Sequence, residues 1–166
     1  MSGASGGLGI EISRSLLNDG FFVIMLCNKN KSKLDSLTRK FSNQTKVVEV
    51  DFLNDVDYDT LKEEIGAVDS VINCVGISSS QISWKINKEQ WDKVFDLNLN
   101  TPFRLAQLFI PEMRKNKFGR IVFFSSIVAQ KGVVGTSAYS ASKSALLGLT
   151  RTMASELATS GVTVNC

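Results

Sequence analysis

MSGASGGLG, residues 1–9, places Gly3, Gly7 and Gly9 at the head of a helical stripe of Leu8, Ile12 and Leu16 that stops at Gly20. A turn that cradles a pyrophosphate needs glycine for three reasons. One residue must make a tight turn, one must let the backbone approach the anion, and one must let the helix pack closely on a sheet. The amides and positive dipole of the helix start then hold the charge. The spacing is Gly-x-x-x-Gly-x-Gly and not the commoner Gly-x-Gly-x-x-Gly, and no Lys-Ser or Lys-Thr follows, so a triphosphatase loop is excluded. Alone, such a turn suits a flexible N-terminus equally well.

Outward from this turn, short runs rich in Val, Ile and Phe alternate with helical patterns. FFVIMLC (21–27), KVVEV (46–50), VDSVINC (68–74), GRIVFFSS (119–126) and VTVNC (162–166) read as strands. Helical stripes fall at Leu34, Leu37 and Phe41, at Leu61 and Ile65, and in two long segments, 88–114 and 137–159. This alternation predicts an α/β fold with a parallel sheet covered on both faces. No linker or repeat interrupts it, so residues 1–166 read as a single domain.

Composition narrows the chemistry. A net charge of +3 with no run of five like charges argues against nucleic acid. No apolar run reaches the length of a membrane span. Three cysteines, odd in number and without metal-ligand spacing, fit a reducing, cytoplasmic setting, and no metal site is expected. The chain has no histidine. A Ser-His-Asp triad is therefore excluded, and proton transfer near neutral pH must come from a retuned carboxylate, lysine, tyrosine or cysteine.

After the first helix the strand ends in CNKNKSK (27–33), with Asn28 and Lys29 where an acid would bond a ribose 2′-hydroxyl. Cations there suit a 2′-phosphate and point to NADP(H); a solvated basic loop is the plainer reading. The next strand ends in Asp51 and Phe52, which suit an adenine amino group and ring edge. Downstream, Tyr139 and Lys143 lie four apart, on one face of a helix. A free tyrosine, with a pKa of roughly 10, is a poor base at pH 7. A neighbouring ammonium favours the phenolate and turns the pair into a proton donor and acceptor. Ser126, at a strand end, could hydrogen-bond a substrate carbonyl oxygen. Taken alone, Tyr-x-x-x-Lys also fits a surface pair on an amphipathic helix.

The combination is more specific. GASGGLG, Asn73 in NCVG, Asn98 in FDLNLN, Ser126 and, thirteen residues on, Tyr139 in YSASK follow one another on a β/α chain. In this the sequence resembles the short-chain dehydrogenase/reductases, and among them the 3-oxoacyl-acyl-carrier-protein reductases, from Gly3 to Asn165. The resemblance implies a Rossmann-like, doubly wound parallel sheet and NADPH-dependent reduction of a ketone to an alcohol. It implies Tyr139 as general acid, Lys143 on the nicotinamide ribose, Ser126 orienting the carbonyl and Asn98 holding a relay water. Gly3, Ser5, Gly7, Leu8, Gly9, Asn28, Lys29, Asp51, Phe52, Asn73 and Gly76 fall at cofactor positions, together with Tyr139 and Lys143. Cys74-Val75 departs from the family's Asn-Asn-Ala-Gly motif, and Gly6 stands where many NADP-preferring relatives carry arginine.

The same resemblance places a central strand before Gly3 and a last strand and substrate loop after Asn165. The chain therefore reads as the core of a longer reductase, with unpaired inner edges expected. It also implies a homotetramer joined through the two long helices, with Phe103, Leu105, Leu108, Phe109, Leu146, Leu147 and Leu149 as candidate contacts. A 3-oxoacyl-acyl-carrier-protein is the expected substrate, with Arg114, Lys115, Lys117 and Arg120 as a basic docking loop. The alternatives are a dehydrogenase of another small ketone, sugar or alcohol, or an inactive nucleotide-binding fragment.

Overall fold

The computed structural model describes residues 1–166. Its α/β architecture is Rossmann-like, and the chain divides into two compact units. The first holds Met1–Gly66 and Asn73–Val75, the second Ala67–Ile72 and Gly76–Cys166.

In the first unit, helix α1 (Gly7–Asn18) leads into β1 (Val23–Cys27), α2 (Asp35–Lys40), β2 (Thr45–Glu49) and α3 (Tyr58–Ile65). β1 and β2 pair in parallel, with Val23 opposite Thr45 and Cys27 opposite Glu49. Ala4, Leu17, Val23, Met25, Cys27, Leu34 and Leu37 form the core. Along α1 the buried positions are Gly9, Ser13 and Leu17, while Leu8 is 60% exposed. The expected stripe of Leu8, Ile12 and Leu16 is thus displaced by one residue. The cause is Gly9, where a Cβ would stand 2.2 Å from the Gly3 carbonyl oxygen. The helix docks through its glycine face. Gly20, at φ +85°, ends it as expected, and Phe21 N–H donates to the Leu16 carbonyl.

Unpaired edges were expected beside Gly3, yet Met1–Ala4 supply strand-like bonds there. Leu26 N–H donates to the Met1 carbonyl at 2.8 Å and Ala4 N–H to the Leu26 carbonyl at 3.1 Å. On the other side, Cys74 N–H donates to the Ser2 carbonyl at 3.2 Å, and Ser2 forms a parallel bridge with Asn73.

The second unit is built on a three-stranded sheet of order β3-β4-β5. Its strands are β3 (Ser70–Asn73, the last residue counted with the first unit), β4 (Gly119–Phe123) and β5 (Val162–Asn165). β4 and β5 run parallel, with Gly119 opposite Val162. Helix α5 (Thr101–Lys115) packs on β4, and α6 (Ser137–Leu157) packs on β5. The segment expected as one helix from 88 to 114 is interrupted. Helix α4 (Lys88–Phe95) passes into a π turn, Asp96–Asn100, before α5 begins. Such a bulge places an extra residue in the helix and is frequent at functional sites. Here it carries Asn98, whose side chain is fully buried.

Candidate active site

The glycine turn and the segments after β1 and β2, where a cofactor is expected, lie in the first unit. Gly3 has φ +67°, and a Cβ on it would meet Val75 N at 2.6 Å and the Cys74 carbonyl carbon at 2.7 Å. Only glycine fits. Gly6 N–H donates to the Gly3 carbonyl at 3.0 Å, closing the turn, and Gly6 caps α1 with no side-chain bond. A Cβ on Gly7 would find nothing within 4 Å. The first turn of a 12-residue helix therefore presents its amides beside an open backbone, with no acidic residue in that turn. An anion such as a pyrophosphate fits this end. Ser5 lies half-buried in the turn and Leu8 is exposed beside it.

Asn28 and Lys29 follow the end of β1, both exposed, with Lys29 N–H donating to Asn28 Oδ1 at 2.8 Å. Asp51 and Phe52, half-buried, follow the end of β2. Asp51 accepts from Leu53 N–H at 3.1 Å and from Asn54 Nδ2 at 3.0 Å, so its carboxylate closes its own turn. Asn73 is 2% exposed, and its Oδ1 accepts from Ser2 Oγ at 3.2 Å. Because β1 and β2 are parallel, the segments 28–29 and 51–52 leave at the same end.

The residues expected to transfer a proton lie in the second unit, around the start of α6. Lys143 is 6% exposed; its Nζ donates to the Phe124 carbonyl at 2.6 Å and lies 5.9 Å from the centroid of the Tyr139 ring. Ser125 Oγ donates in return to the Lys143 carbonyl at 2.9 Å, so the exit of β4 and α6 clasp each other. Ser126 follows directly, half-buried; its Oγ accepts from Val128 N–H at 3.4 Å, which leaves the hydroxyl hydrogen free to donate.

Asn98 makes a closed set of bonds. Oδ1 accepts from Ile77 N–H at 2.8 Å, while Nδ2 donates to the Ile77 carbonyl at 2.9 Å and to Ser142 Oγ at 3.0 Å. Both amide hydrogens are used. Of the Asn98 side chain, only one Oδ1 lone pair is left for a relay water. Gly76 lies against this group. A Cβ there would stand 2.9 Å from Asn98 Oδ1 and 3.6 Å from Lys143 Nζ. Asn98, Tyr139, Lys143 and Gly76 thus converge in one unit, with Ser126 one residue beyond the clasp.

Sequence reasoning passed over Ser2, Ser125 and Ser142. Each is a small hydroxyl residue adjoining a motif residue, in MSG, FFSS and YSASK, and that adjacency is the only signal the sequence carried.

Comparison with known proteins identifies the family. The sequence pattern of the short chain dehydrogenase family matches residues 1–166. The chain is 36% identical to the acetoacetyl-CoA reductase of Cupriavidus necator, covering 99% of this chain and 70% of that one. It is 35% identical to a 3-oxoacyl-[acyl-carrier-protein] reductase of Rickettsia felis, covering 99% and 68%. Among solved structures, a short-chain dehydrogenase from Streptomyces avermitilis superposes with a TM-score of 0.89 at 29% identity, over 98% of this chain and 61% of that one. The chain belongs to the short chain dehydrogenase family, a family of oxidoreductases, and spans roughly two thirds of the length of these relatives.

Proposed function

We propose that this chain carries the cofactor and proton-transfer core of an NADPH-dependent ketoreductase that converts a 3-oxoacyl thioester to the 3-hydroxyacyl thioester. In this reading residues 1–166 act as one domain. The observation that carries it is the Lys143 ammonium, buried beside Tyr139 and held by the Phe124 carbonyl in a protein without histidine.

When bound, the nicotinamide cofactor supplies the hydride that reaches the carbonyl carbon. Ser126 donates a hydrogen bond to the carbonyl oxygen, where negative charge develops. Tyr139 gives that oxygen its phenolic proton, so the ketone gains a hydride and a proton and leaves as an alcohol. Lys143 holds the ribose and offsets the charge left on the tyrosine. The glycine turn and the first amides of α1 take the pyrophosphate, and Asn28 and Lys29 face the 2′-phosphate. Asp51, Phe52 and Asn73 hold the adenosine side.

The test is a pair of variants assayed with NADPH and a 3-oxoacyl thioester. Tyr139→Phe should lower kcat by at least a hundredfold while the Kd for NADPH stays within twofold, because ring packing is preserved. Lys143→Ala should weaken both. Binding of NADPH should exceed that of NADH, and Asn28→Asp should narrow the difference by placing a carboxylate against the 2′-phosphate. Wild-type turnover by Tyr139→Phe would end the assignment.

One observation favours a thioester or ketone free of a carrier protein. Arg114 and Lys115 end α5, Lys117 precedes β4 and Arg120 is the second residue of that strand, whereas Ser126 follows its other end. The five residues of β4 separate its two ends by about 15 Å, at ~3.3 Å per residue. Arg120 is moreover engaged by the Gly119 and Gly161 carbonyls and by the Phe118 ring. The expected docking loop therefore sits at the opposite end of the strand from the reacting groups. The carrier-linked substrate rests on likeness to the Rickettsia reductase alone.

A further inference from the structure

The turn that follows Ser126 has no apolar core to hold it. Ile127, Val128 and Ala129 form one 3-10 turn in which no residue is buried, and Ile127 is 67% exposed. Ser126 opens this turn with an extended backbone, at φ −154° and ψ 154°. Its Oγ accepts from Val128 N–H, and its carbonyl accepts from Ala129 N–H at 3.0 Å. The place of the Ser126 hydroxyl therefore depends on what holds Ala129.

Ala129 is held from α6. Ser144 Oγ donates to the Ala129 carbonyl at 2.9 Å, although fifteen residues separate the two in the chain. A hydroxyl within a helix commonly bonds back to a carbonyl one turn earlier. Thr150 and Ser155 of the same helix do this, on the Leu146 and Arg151 carbonyls at 2.7 and 3.1 Å. Ser144 reaches out of its helix instead. Just before Ser126, Ser125 Oγ donates to the Lys143 carbonyl at 2.9 Å. Two successive residues of α6 thus grip the chain one residue before Ser126 and three residues after it.

We infer that Ser144 is a positioning residue for Ser126. By holding the Ala129 carbonyl it fixes the turn from which the Ser126 hydroxyl is aimed, and it acts on the reaction through that hydroxyl. The inference rests on the ketoreductase reading and adds a residue to it. Removing a donor aimed at a developing oxyanion costs about 10²–10³ in kcat. Loosening the turn that carries the donor should cost part of that, roughly tenfold, because a small misplacement already weakens the bond in the transition state.

The test is a double-mutant cycle of Ser144→Ala and Ser126→Ala, assayed with NADPH and acetoacetyl N-acetylcysteamine thioester. Ser144→Ala alone should lower kcat about tenfold and leave the Kd for NADPH within twofold. Added to Ser126→Ala, it should lower kcat by less than twofold, since the group it aims is gone. A second readout needs neither turnover nor cofactor. In Ser144→Ala the amide of Ala129 should exchange with deuterium at least fivefold faster, while the amide of Ala145, inside α6, keeps its wild-type rate. Wild-type kcat in Ser144→Ala, or a tenfold loss that persists without the Ser126 hydroxyl, would overturn the inference. So would an unchanged Ala129 amide, or faster exchange at Ala145 as well, which would make Ser144 a support of the helix only. If the wild type reduces no thioester, the ketoreductase reading fails on its own, and the two amides still decide whether Ser144 holds the turn.

Discussion

At the scale of single residues, the side-chain amide of Asn98 is tightly constrained beside Gly76. It is fully buried and makes three bonds, two of them to the Ile77 backbone. Gly76 owes its identity to that amide, since a Cβ would meet Oδ1 at 2.9 Å and the bonds to Ile77 prevent the amide from yielding. Overpacking at such a point costs about 1–3 kcal/mol. Gly76→Ala is accordingly expected to lower the melting temperature and to cut kcat more than tenfold, by displacing Asn98 against Lys143. Gly132→Ala is the control, because a Cβ there meets nothing within 4 Å. Thermal melting and steady-state kinetics on the two variants check this, and matching results for both would refute it.

At the scale of elements, the join between α5 and β4 is held by two left-handed residues. Lys117 has φ +54°, and Gly161, at φ +72°, approaches it so closely that a Cβ would lie 2.0 Å from the Lys117 carbonyl oxygen. For a non-glycine residue the left-handed region costs roughly 1–2 kcal/mol. Lys117→Gly should therefore raise the midpoint of urea unfolding, partly offset by the greater entropy of an unfolded glycine. Gly161→Ala should lower it by far more, because the turn must open to admit the methyl group. The opposite signs, read on one denaturation curve each, distinguish strain at the join from a general intolerance of change in this region.

At the scale of the whole molecule, the surface left for self-association is smaller than the apolar content of the long helices suggests. Leu105, Phe109 and Leu146 are only 2%, 3% and 1% exposed and belong to the core of their own unit. Phe103 at 37% and Trp91 at 39%, the latter stacked on Phe95 at 4.8 Å, remain outward on α5 and α4. We propose that the homotetramer implied by family resemblance uses these two rather than the buried three. Light scattering at micromolar concentration should give a tetramer, and Phe103→Glu should reduce its mass. A monomeric wild type would refute the proposal.

Much of this was readable from local pattern. The alternation of short Val- and Ile-rich runs with helical stripes located every strand, and the α-helices apart from the break between α4 and α5, to within a few residues, because burial on a sheet and burial on a helix impose different periods. Tyr139 and Lys143 were likewise a local matter, since four residues is one helical turn. What the pattern could not contain was contact between distant segments. The turn of α1 onto Gly9 depends on the Gly3 carbonyl, and the π turn at Asn98 depends on Ile77, twenty-one residues earlier, and on Ser142, forty-four later. The cations of Arg114, Lys115 and Lys117 fell before β4 and Ser126 beyond its other end, because strand direction and not sequence proximity sets which loops share an edge. Composition and period determined the class of fold and set Tyr139 and Lys143 on one face of a helix. Which side chains hold that pair, and which face the solvent beside it, was decided only when hydrogen bonds closed between residues far apart in the chain.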